Sequence, residues 1–259
     1  MDKSMLKYIA RRLLISAVTL FVILVVLFAL TKLLPGSPIN NEKLTDAQRA
    51  VIEAKYGLDK PILVQFWNYL TNMLHGDFGV SYTMYKDMEV AGLVFDAAKI
   101  SFMLGILACI FGAVVGMALG VFAALHRNTI WDSISTIISV LGVSIPSFVF
   151  ALLILMLFGV KLHWLPTIYN SSQMLYSSIL PVLALSMSVI ANVARFTRTE
   201  MIGVLGSEYM TLAKAKGLDR KTLIFRHALR NALIPVITIL GPILVNLMTG
   251  TMVVEQICG

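Results

Sequence analysis

The chain has 259 residues, of which 58% are apolar and only 14% are charged, and its mean hydropathy is +0.84. Ordinary soluble domains carry about 25% charged residues, so this composition excludes a typical water-soluble globular protein and favours lipid as the solvent. The formal charge of +7 does not by itself indicate nucleic-acid binding. In a membrane protein, where the basic residues lie carries more information than their sum.

Membrane spans dominate the pattern in chain order. Crossing about 30 Å of hydrocarbon takes roughly 20 apolar helical residues, and backbone groups in lipid must be satisfied within the chain, which makes helices the default. The sequence therefore predicts an all-α, polytopic transmembrane helix bundle. Five stretches qualify as spans, namely 13–34, 100–125, 134–160, 179–194 and 232–254.

Charge asymmetry between the connections predicts the orientation. Basic residues are concentrated before the first span and in the 195–231 connection, whereas acidic residues outnumber basic ones in the loop after the first span. By the positive-inside rule, the N-terminus and residues 195–231 are expected in the cytoplasm and residues 35–99 outside. The predicted organisation is an N-terminal segment with the first span (1–34), an extracytoplasmic helical loop (35–99) and a core (100–259).

The outer loop carries signals for two helices. Thr45 with Gln48 forms a capping-box pattern and Gly57 a stop, which predicts a helix over 46–56. Pro61 suits the first turn of a second helix and Gly76 its end, which predicts 61–75. The apolar face of this second helix could pack against the membrane surface, against other spans or against a partner protein.

Small residues recur every four positions in the second span, at Gly112, Gly116 and Gly120, one step after Ala108. Such a stripe lets two helix backbones approach closely in a membrane. The pattern predicts a helix–helix contact on this face.

The connection 195–231 contains a short, well-bounded helix. Ser207 is a candidate cap, Glu208 suits the positive end of the helix dipole, and Lys214 and Lys216 suit its negative end. Gly217 can adopt the left-handed closing conformation, so the helix is predicted over 208–216. Its apolar stripe consists of Tyr209, Leu212, Ala213 and Ala215. The alternative is an interfacial helix resting on anionic headgroups.

A second helix follows in the same connection. Asp219 is the candidate cap of this helix, which leads toward the last span. Pro235 is expected to bend or interrupt this helix at the bilayer.

Chemistry-bearing patterns are few. There is no phosphate-cradling GxxxxGK[ST] motif, and neither the two cysteines nor the four histidines are spaced as metal ligands. We therefore expect no catalytic residues, no metal and no bound cofactor. Uncharged polar residues in the spans are candidates for a translocation path, or alternatively for hydrogen bonds between helices. They are Ser144, Ser147, Ser186, Ser188, Asn192 and Asn246.

Residues 208–235, EYMTLAKAKGLDRKTLIFRHALRNALIP, resemble the cytoplasmic loop of binding-protein-dependent ABC importer permeases, most closely the oligopeptide, dipeptide and nickel branch. Thr211 stands where the wider superfamily has Glu, and Pro235 lies farther from the glycine, as is typical of this branch. Further segments resemble it in the expected order: LPGSP (34–38), GLDKPILVQFWNYLTNMLHGDFGVSY (57–82), LGVSIPSF (141–148), KLHWLP (161–166), ARFTRTEM (194–201) and VVEQI (253–257).

The resemblance implies a multi-pass subunit of the bacterial inner membrane that forms half of a translocation path. Its partners would be a second permease subunit, two ATPase subunits that bind the ATP, an extracytoplasmic substrate-binding protein and membrane lipid, with no nucleic acid. Residues 208–217 would form the coupling helix that contacts an ATPase. The substrate would be a short peptide, with nickel or another small solute as the alternative. A secondary transporter is the rival class, and the absence of charged residues deep in the spans counts against it. An intramembrane enzyme or a structural membrane protein are further alternatives.

Permeases of this family usually have a sixth span after the VVEQI segment, whereas this chain ends at Gly259. The sequence is therefore expected to be truncated.

Overall fold

The computed structural model describes residues 3–33, 46–81, 85, 87–250 and 252–258. Within these residues the fold is all-α, apart from one isolated bridge between Val80 and Glu89. The helices are α1 Lys3–Leu33, α2 Asp46–Lys55, α3 Ile62–Leu74, α4 Val90–Leu125, α5 Ile130–Ser144, α6 Ser147–Ile154, α7 Met174–Ser177, α8 Ile179–Leu205, α9 Glu208–Ala215, α10 Leu229–Gly250 and α11 Met252–Cys258. Two π-helical segments, Leu155–Lys161 and Thr222–Ala228, and a 3₁₀ turn, Ser171–Gln173, complete the set.

The chain forms two compact units, Met1–Asp96 and Ala97–Gly259. In the first unit, α2 and α3 lie within a residue or two of the helices that the sequence predicts. Gly57 and Gly76 follow them with φ of +66° and +82°, a conformation that favours glycine as a helix stop. The capping box predicted at Thr45 lies outside the described residues.

Aromatic rings join the two longer helices of this first unit. Phe66 of α3 packs edge to face against Phe21 and Phe28 of α1, with ring centroids 6.1 and 5.2 Å apart, and Lys32 hydrogen-bonds to Gln65. Among the alternatives left open by the sequence, the apolar face of α3 therefore contacts the first span.

Four helices in the described residues are long and apolar enough to cross a membrane, and a bent pair makes a fifth crossing if it counts as one span. The four run over Ser4–Leu33, Val90–Leu125, Ile179–Leu205 and Thr222–Met248. The prediction of an all-α, polytopic bundle is confirmed.

The third predicted span, 134–160, is not one helix. It consists of α5 and α6, with α6 continued by the π-helical segment, and the two parts are bent by 105°. Pro146 has no N–H to bond to the carbonyl of Gly142, and its ring pushes the preceding residue out of the helical region. Accordingly Ile145 is extended, with φ −82° and ψ 122°.

The region around the last span also differs from expectation. Pro235 and Pro242 both lie inside α10, which continues through them. Of the two effects predicted for Pro235, a bend or an interruption, the interruption is therefore absent. The departure from α-helical bonding comes earlier, in the π-helical segment Thr222–Ala228. The predicted stretch 232–254 divides between α10 and α11, and α11 contacts α6 and α8.

Helix α8 is the centre of the second unit, where it contacts α5, α6, α10 and α11. The main apolar cluster includes Leu104, Leu180, Val189 and Val236. A second cluster lies around the end of α8 and includes Met201 and Met210. This arrangement joins the connection 195–231 to the core through α8.

Candidate functional site

The short helix α9 is bounded nearly as the sequence predicts. It runs from Glu208 to Ala215, with Lys216 as its C-cap residue. Gly217 follows in the left-handed region at φ +80°. Ser207 holds the N-cap position, but its hydroxyl donates to the carbonyl of Val204 at 2.6 Å and makes no side-chain cap bond. The predicted capping role of the Ser207 side chain is therefore wrong.

One side of α9 is anchored in the protein. Met210 is completely buried among Met201, Leu223 and Ala228, and Ala213 packs against the same cluster. Nearby, the side-chain amide of Asn231 donates to the Tyr209 hydroxyl at 3.0 Å. These contacts fix α9 to α8, to the π-helical segment Thr222–Ala228 and to the first turn of α10.

The other side of α9 faces outward. Tyr209 and Leu212 expose 43% and 58% of their surface. The remaining predicted coupling residues are also exposed, namely Glu208, Lys214, Ala215, Lys216 and Gly217. The apolar stripe predicted from the sequence is thus divided. Ala213 packs against the protein, Tyr209 is partly exposed with its hydroxyl bonded to Asn231, and Leu212 is the more exposed of the two large side chains.

Asp219 caps the helical segment that follows, as predicted. Its carboxylate accepts a hydrogen bond from the backbone N–H of Thr222 at 3.2 Å. Hydrogen bonds from the side chain and backbone of Thr222 hold the pKa of Asp219 below its usual value.

A cavity of about 290 Å³ lies where α5 breaks into α6. Its walls come from the break itself and from α8 and α10. Four of the six predicted path residues line it, namely Ser147, Ser188, Asn192 and Asn246. The structure therefore brings together polar residues that are up to 99 positions apart in the chain.

The other two predicted path residues lie elsewhere. Ser144 is exposed and is not part of the cavity wall. Ser186 is buried, its hydroxyl donates to the carbonyl of Leu183 at 2.9 Å, and its backbone oxygen faces Gly112 of α4. Ser186 therefore belongs to a helix–helix contact.

Gly112, Gly116 and Gly120 are buried where α4 meets α8. A β-carbon at Gly116 would lie 2.9 Å from the carbonyl oxygen of Ile190, and one at Gly120 would lie 2.5 Å from that of Ala194. Real β-carbons do not approach other heavy atoms so closely. Only glycine leaves room for the two backbones at this distance.

Two polar contacts in the structure were not predicted from the sequence. Asp132 forms a two-point ion pair with Arg198, and Ser101 donates to Glu255 at 3.0 Å across 154 positions. The only signal for the first was an acidic residue in an otherwise basic connection, and the partner could not be inferred without the fold. In the described part of the chain, no group of His, Cys, Asp or Glu residues could hold a metal ion.

Comparison with known proteins agrees with this architecture. Residues 116–259 match the family described as the binding-protein-dependent transport system inner membrane component, and residues 5–104 match the N-terminal part of such membrane components. The oligopeptide transport system permease protein OppB of Escherichia coli (strain K12) is 44% identical over 256 residues, which cover 98% of this chain and 83% of that protein.

Two dipeptide transport system permease proteins named DppB are also similar. The protein of Lactococcus lactis subsp. cremoris is 40% identical over 253 residues and that of Bacillus subtilis is 39% identical over 254 residues. Each alignment covers 98% of this chain and 82% of the relative. The chain therefore belongs to the binding-protein-dependent transport system inner membrane components, as a multi-pass membrane permease.

Proposed function

We propose that this chain is one of two permease subunits of an ATP-driven importer of oligopeptides or dipeptides. The names of its relatives support the substrate class. In this proposal ATP is bound and hydrolysed by two partner ATPase subunits, an extracytoplasmic protein delivers the substrate, and the chain itself holds no cofactor. The proposed division is 1–34, 35–99 and 100–259, with the N-terminus and the 195–231 connection in the cytoplasm.

The construction of α9 is the observation that carries this proposal. A helix that transmits force needs a side fixed to the moving bundle and a side free to bind the motor. Met210 provides the fixed side through full burial, and Leu212 lies at the centre of the exposed side. An interfacial helix held only by headgroups would not need such an anchor in the core.

The cavity at the α5–α6 break is proposed as part of the translocation path. Its uncharged polar lining, Ser147, Ser188, Asn192 and Asn246, offers hydrogen bonds without selecting for a charged side chain. That chemistry suits peptides of varied sequence. The second permease subunit would supply the facing wall.

Attachment of the ATPase tests the role of α9. We expect Leu212→Glu to abolish co-purification of the coexpressed ATPase subunits, because a charge would replace the exposed apolar contact. Thr211→Glu adds the same charge one position earlier, on another exposed side of the helix, and should retain the ATPase. Normal ATPase recovery and uptake in the Leu212→Glu importer would contradict the proposal. Uptake of nickel instead of peptides by the intact importer would keep the coupling role and correct the substrate.

A further inference from the structure

The side chains of Asp132 and Arg198 form an ion pair with two hydrogen bonds. We call this ion pair the ionic joint between α5 and α8. Arg198 Nε lies 2.5 Å from Asp132 Oδ1 and Nη2 lies 2.7 Å from Oδ2. The backbone N–H of Asn128 donates to Oδ2 at 3.0 Å as well. The side chain of Asp132 is 7% exposed to solvent, and that of Arg198 is 30% exposed. Two parallel charge-assisted bonds fix orientation as well as distance, and little solvent competes for the carboxylate.

This joint connects two helices near their cytoplasmic-side ends in the proposed orientation. Asp132 lies in the first turn of α5, and Arg198 lies about two turns before the end of α8. A carboxylate in the first turn also interacts favourably with the helix dipole. The ion pair therefore fixes the start of α5 to this part of α8.

On the other side of the joint, α8 is fastened to α9. Met201 is completely buried three residues after Arg198, and it shares an apolar cluster with Met210 of α9. This apolar packing joins α9 to α8 one helical turn from the ion pair.

A second fastening lies near the far end of α5. A β-carbon at Gly142 would lie 2.8 Å from the β-carbon of Ala191 on α8, so the two helices are in close contact there. Gly142 lines the cavity, as do Ile145 and Pro146 at the break. With an ionic joint at one end and close packing at the other, α5 and α8 have the contacts of one rigid body.

We propose that the Asp132–Arg198 ion pair makes α5 and α8 move as one lever, which carries displacement of α9 to the cavity wall at the α5–α6 break. The inference rests on the proposed function, because it needs α9 to receive the force. Asp132 and Arg198 are positioning residues in this mechanism, since they act on the substrate path only through the helices that they join.

The decisive measurement is the number of peptides imported per ATP hydrolysed by the complete reconstituted importer, with a radiolabelled mixture of short peptides. The variant Asp132→Cys/Arg198→Cys removes the ion pair. It is built on Cys109→Ala/Cys258→Ala, so that the two new cysteines are the only ones in this chain. A bifunctional thiol reagent that spans the two positions then reconnects α5 and α8. Without the reagent we expect the ratio to fall by about two- to thirtyfold, the range typical when a coupling contact is lost. With the reagent we expect it to recover.

Three outcomes would overturn the inference, and the first is a ratio that stays low after cross-linking. An unchanged ratio in the unlinked variant would show that the ion pair plays no part in coupling. Loss of transport on cross-linking would show that the two helices must separate during the cycle. A loss of fold alone would lower import and ATP hydrolysis together, whereas loss of the lever lowers their ratio.

Two further variants keep the test valid if the double cysteine variant assembles poorly. Arg198→Lys keeps the charge but loses the two-point geometry, and it should lower the ratio while the complex still assembles. Arg195→Gln is the matched control, because Arg195 is one turn away, is exposed, and forms no ion pair in the part of the chain that the structure describes. An equal fall in both arginine variants would contradict the proposal.

The failure of this inference is distinguishable from failure of the proposed function. If the ATPase subunits bind and the wild-type importer takes up peptide, the proposed function stands. The number of peptides imported per ATP by the ion-pair variants then tests whether α5 and α8 move together. If the wild-type chain binds no ATPase, both proposals fall.

Discussion

A β-carbon placed on Gly112 would lie 2.5 Å from the β-carbon of Val189. Helices α4 and α8 are therefore so close that a hydrogen atom is the only side chain that fits between them. Further along the same stripe, the obstacle changes from a side chain to the backbone, because Gly120 faces the carbonyl oxygen of Ala194. The two positions should respond differently to substitution.

We expect Gly112→Ala and Gly120→Ala each to destabilise the protein by about 1–3 kcal/mol through overpacking. Removal of the opposing side chain in Val189→Gly should reduce the cost of Gly112→Ala. Thr197→Gly should not rescue Gly120→Ala, since the carbonyl of Ala194 remains in place. Thermal unfolding in detergent, arranged as two double-mutant cycles, measures both effects.

Gly203 provides the control for this series. It lies in the last turn of α8, and a β-carbon there would meet nothing within 4 Å. Because Ala is favoured over Gly in helices by up to about 1 kcal/mol, Gly203→Ala should be neutral or stabilising. A destabilisation equal to that of Gly120→Ala would show that the α4–α8 contact is not the cause.

Gly217 closes α9 with φ +80°, and a β-carbon there would meet nothing within 4 Å. A substitution therefore suffers only from the backbone conformation, which costs a β-branched residue about 1–3 kcal/mol. We expect Gly217→Val to shift the end of α9 and to uncouple ATP hydrolysis from uptake, while the protein still inserts into the membrane. Parallel assays of ATPase activity and peptide uptake in proteoliposomes measure this.

Gly203→Val is the matched comparison for Gly217. Gly203 lies in α8 without a positive φ, and its β-carbon position is also free of neighbours within 4 Å. The Gly203→Val variant should retain coupling, because Val is no less favourable than Gly inside a helix. Normal coupling in Gly217→Val would argue against the role of α9, and a similar defect in both variants would assign the effect to the added side chain.

The cap at Asp219 makes the start of the following segment sensitive to acid. Hydrogen bonds from Thr222 lower the pKa of Asp219 in the folded protein. The cap therefore stabilises the fold at pH values above the unfolded pKa of about 3.9. This stability is lost as the pH falls through the lower pKa of the folded protein. We expect exchange protection of the Thr222 amide to fall below about pH 4 in the wild type.

Asp219→Asn serves as the control, because an amide oxygen still accepts the Thr222 bond but does not titrate. Amide exchange of the nanodisc-embedded protein, corrected for the intrinsic rate, measures the difference. The same acid response in wild type and Asp219→Asn would assign the titration to another group.

The sequence was sufficient for the elements that rest on local physics. Spans follow from apolar length, α9 follows from charges at its ends and from Gly217, and the glycine spacing pointed to the face of α4 that meets α8. Pro146 was visible within the third predicted span, yet its effect depended on whether neighbouring helices would hold the chain straight. Pro235 shows the opposite outcome, because α10 continues through it.

Long-range polar contacts were beyond the reach of the sequence. Asp132 and Arg198 are 66 positions apart. Nothing in their local pattern distinguishes them from Arg195, which forms no ion pair within the described residues. The same holds for Ser207, whose residue type suits a cap but whose hydroxyl bonds backwards to Val204. In each case the geometry of the surrounding helices decides which partner is nearer.

The bend between α5 and α6 has a consequence for how this chain lives in a bilayer. Hydrocarbon forms no hydrogen bonds, so the peptide groups that Pro146 leaves without helical partners must be met by water or by another polypeptide. In the proposed importer, the second permease subunit would shield this break from the lipid. The break would then give the proposed path its polar lining and also favour association of the two subunits.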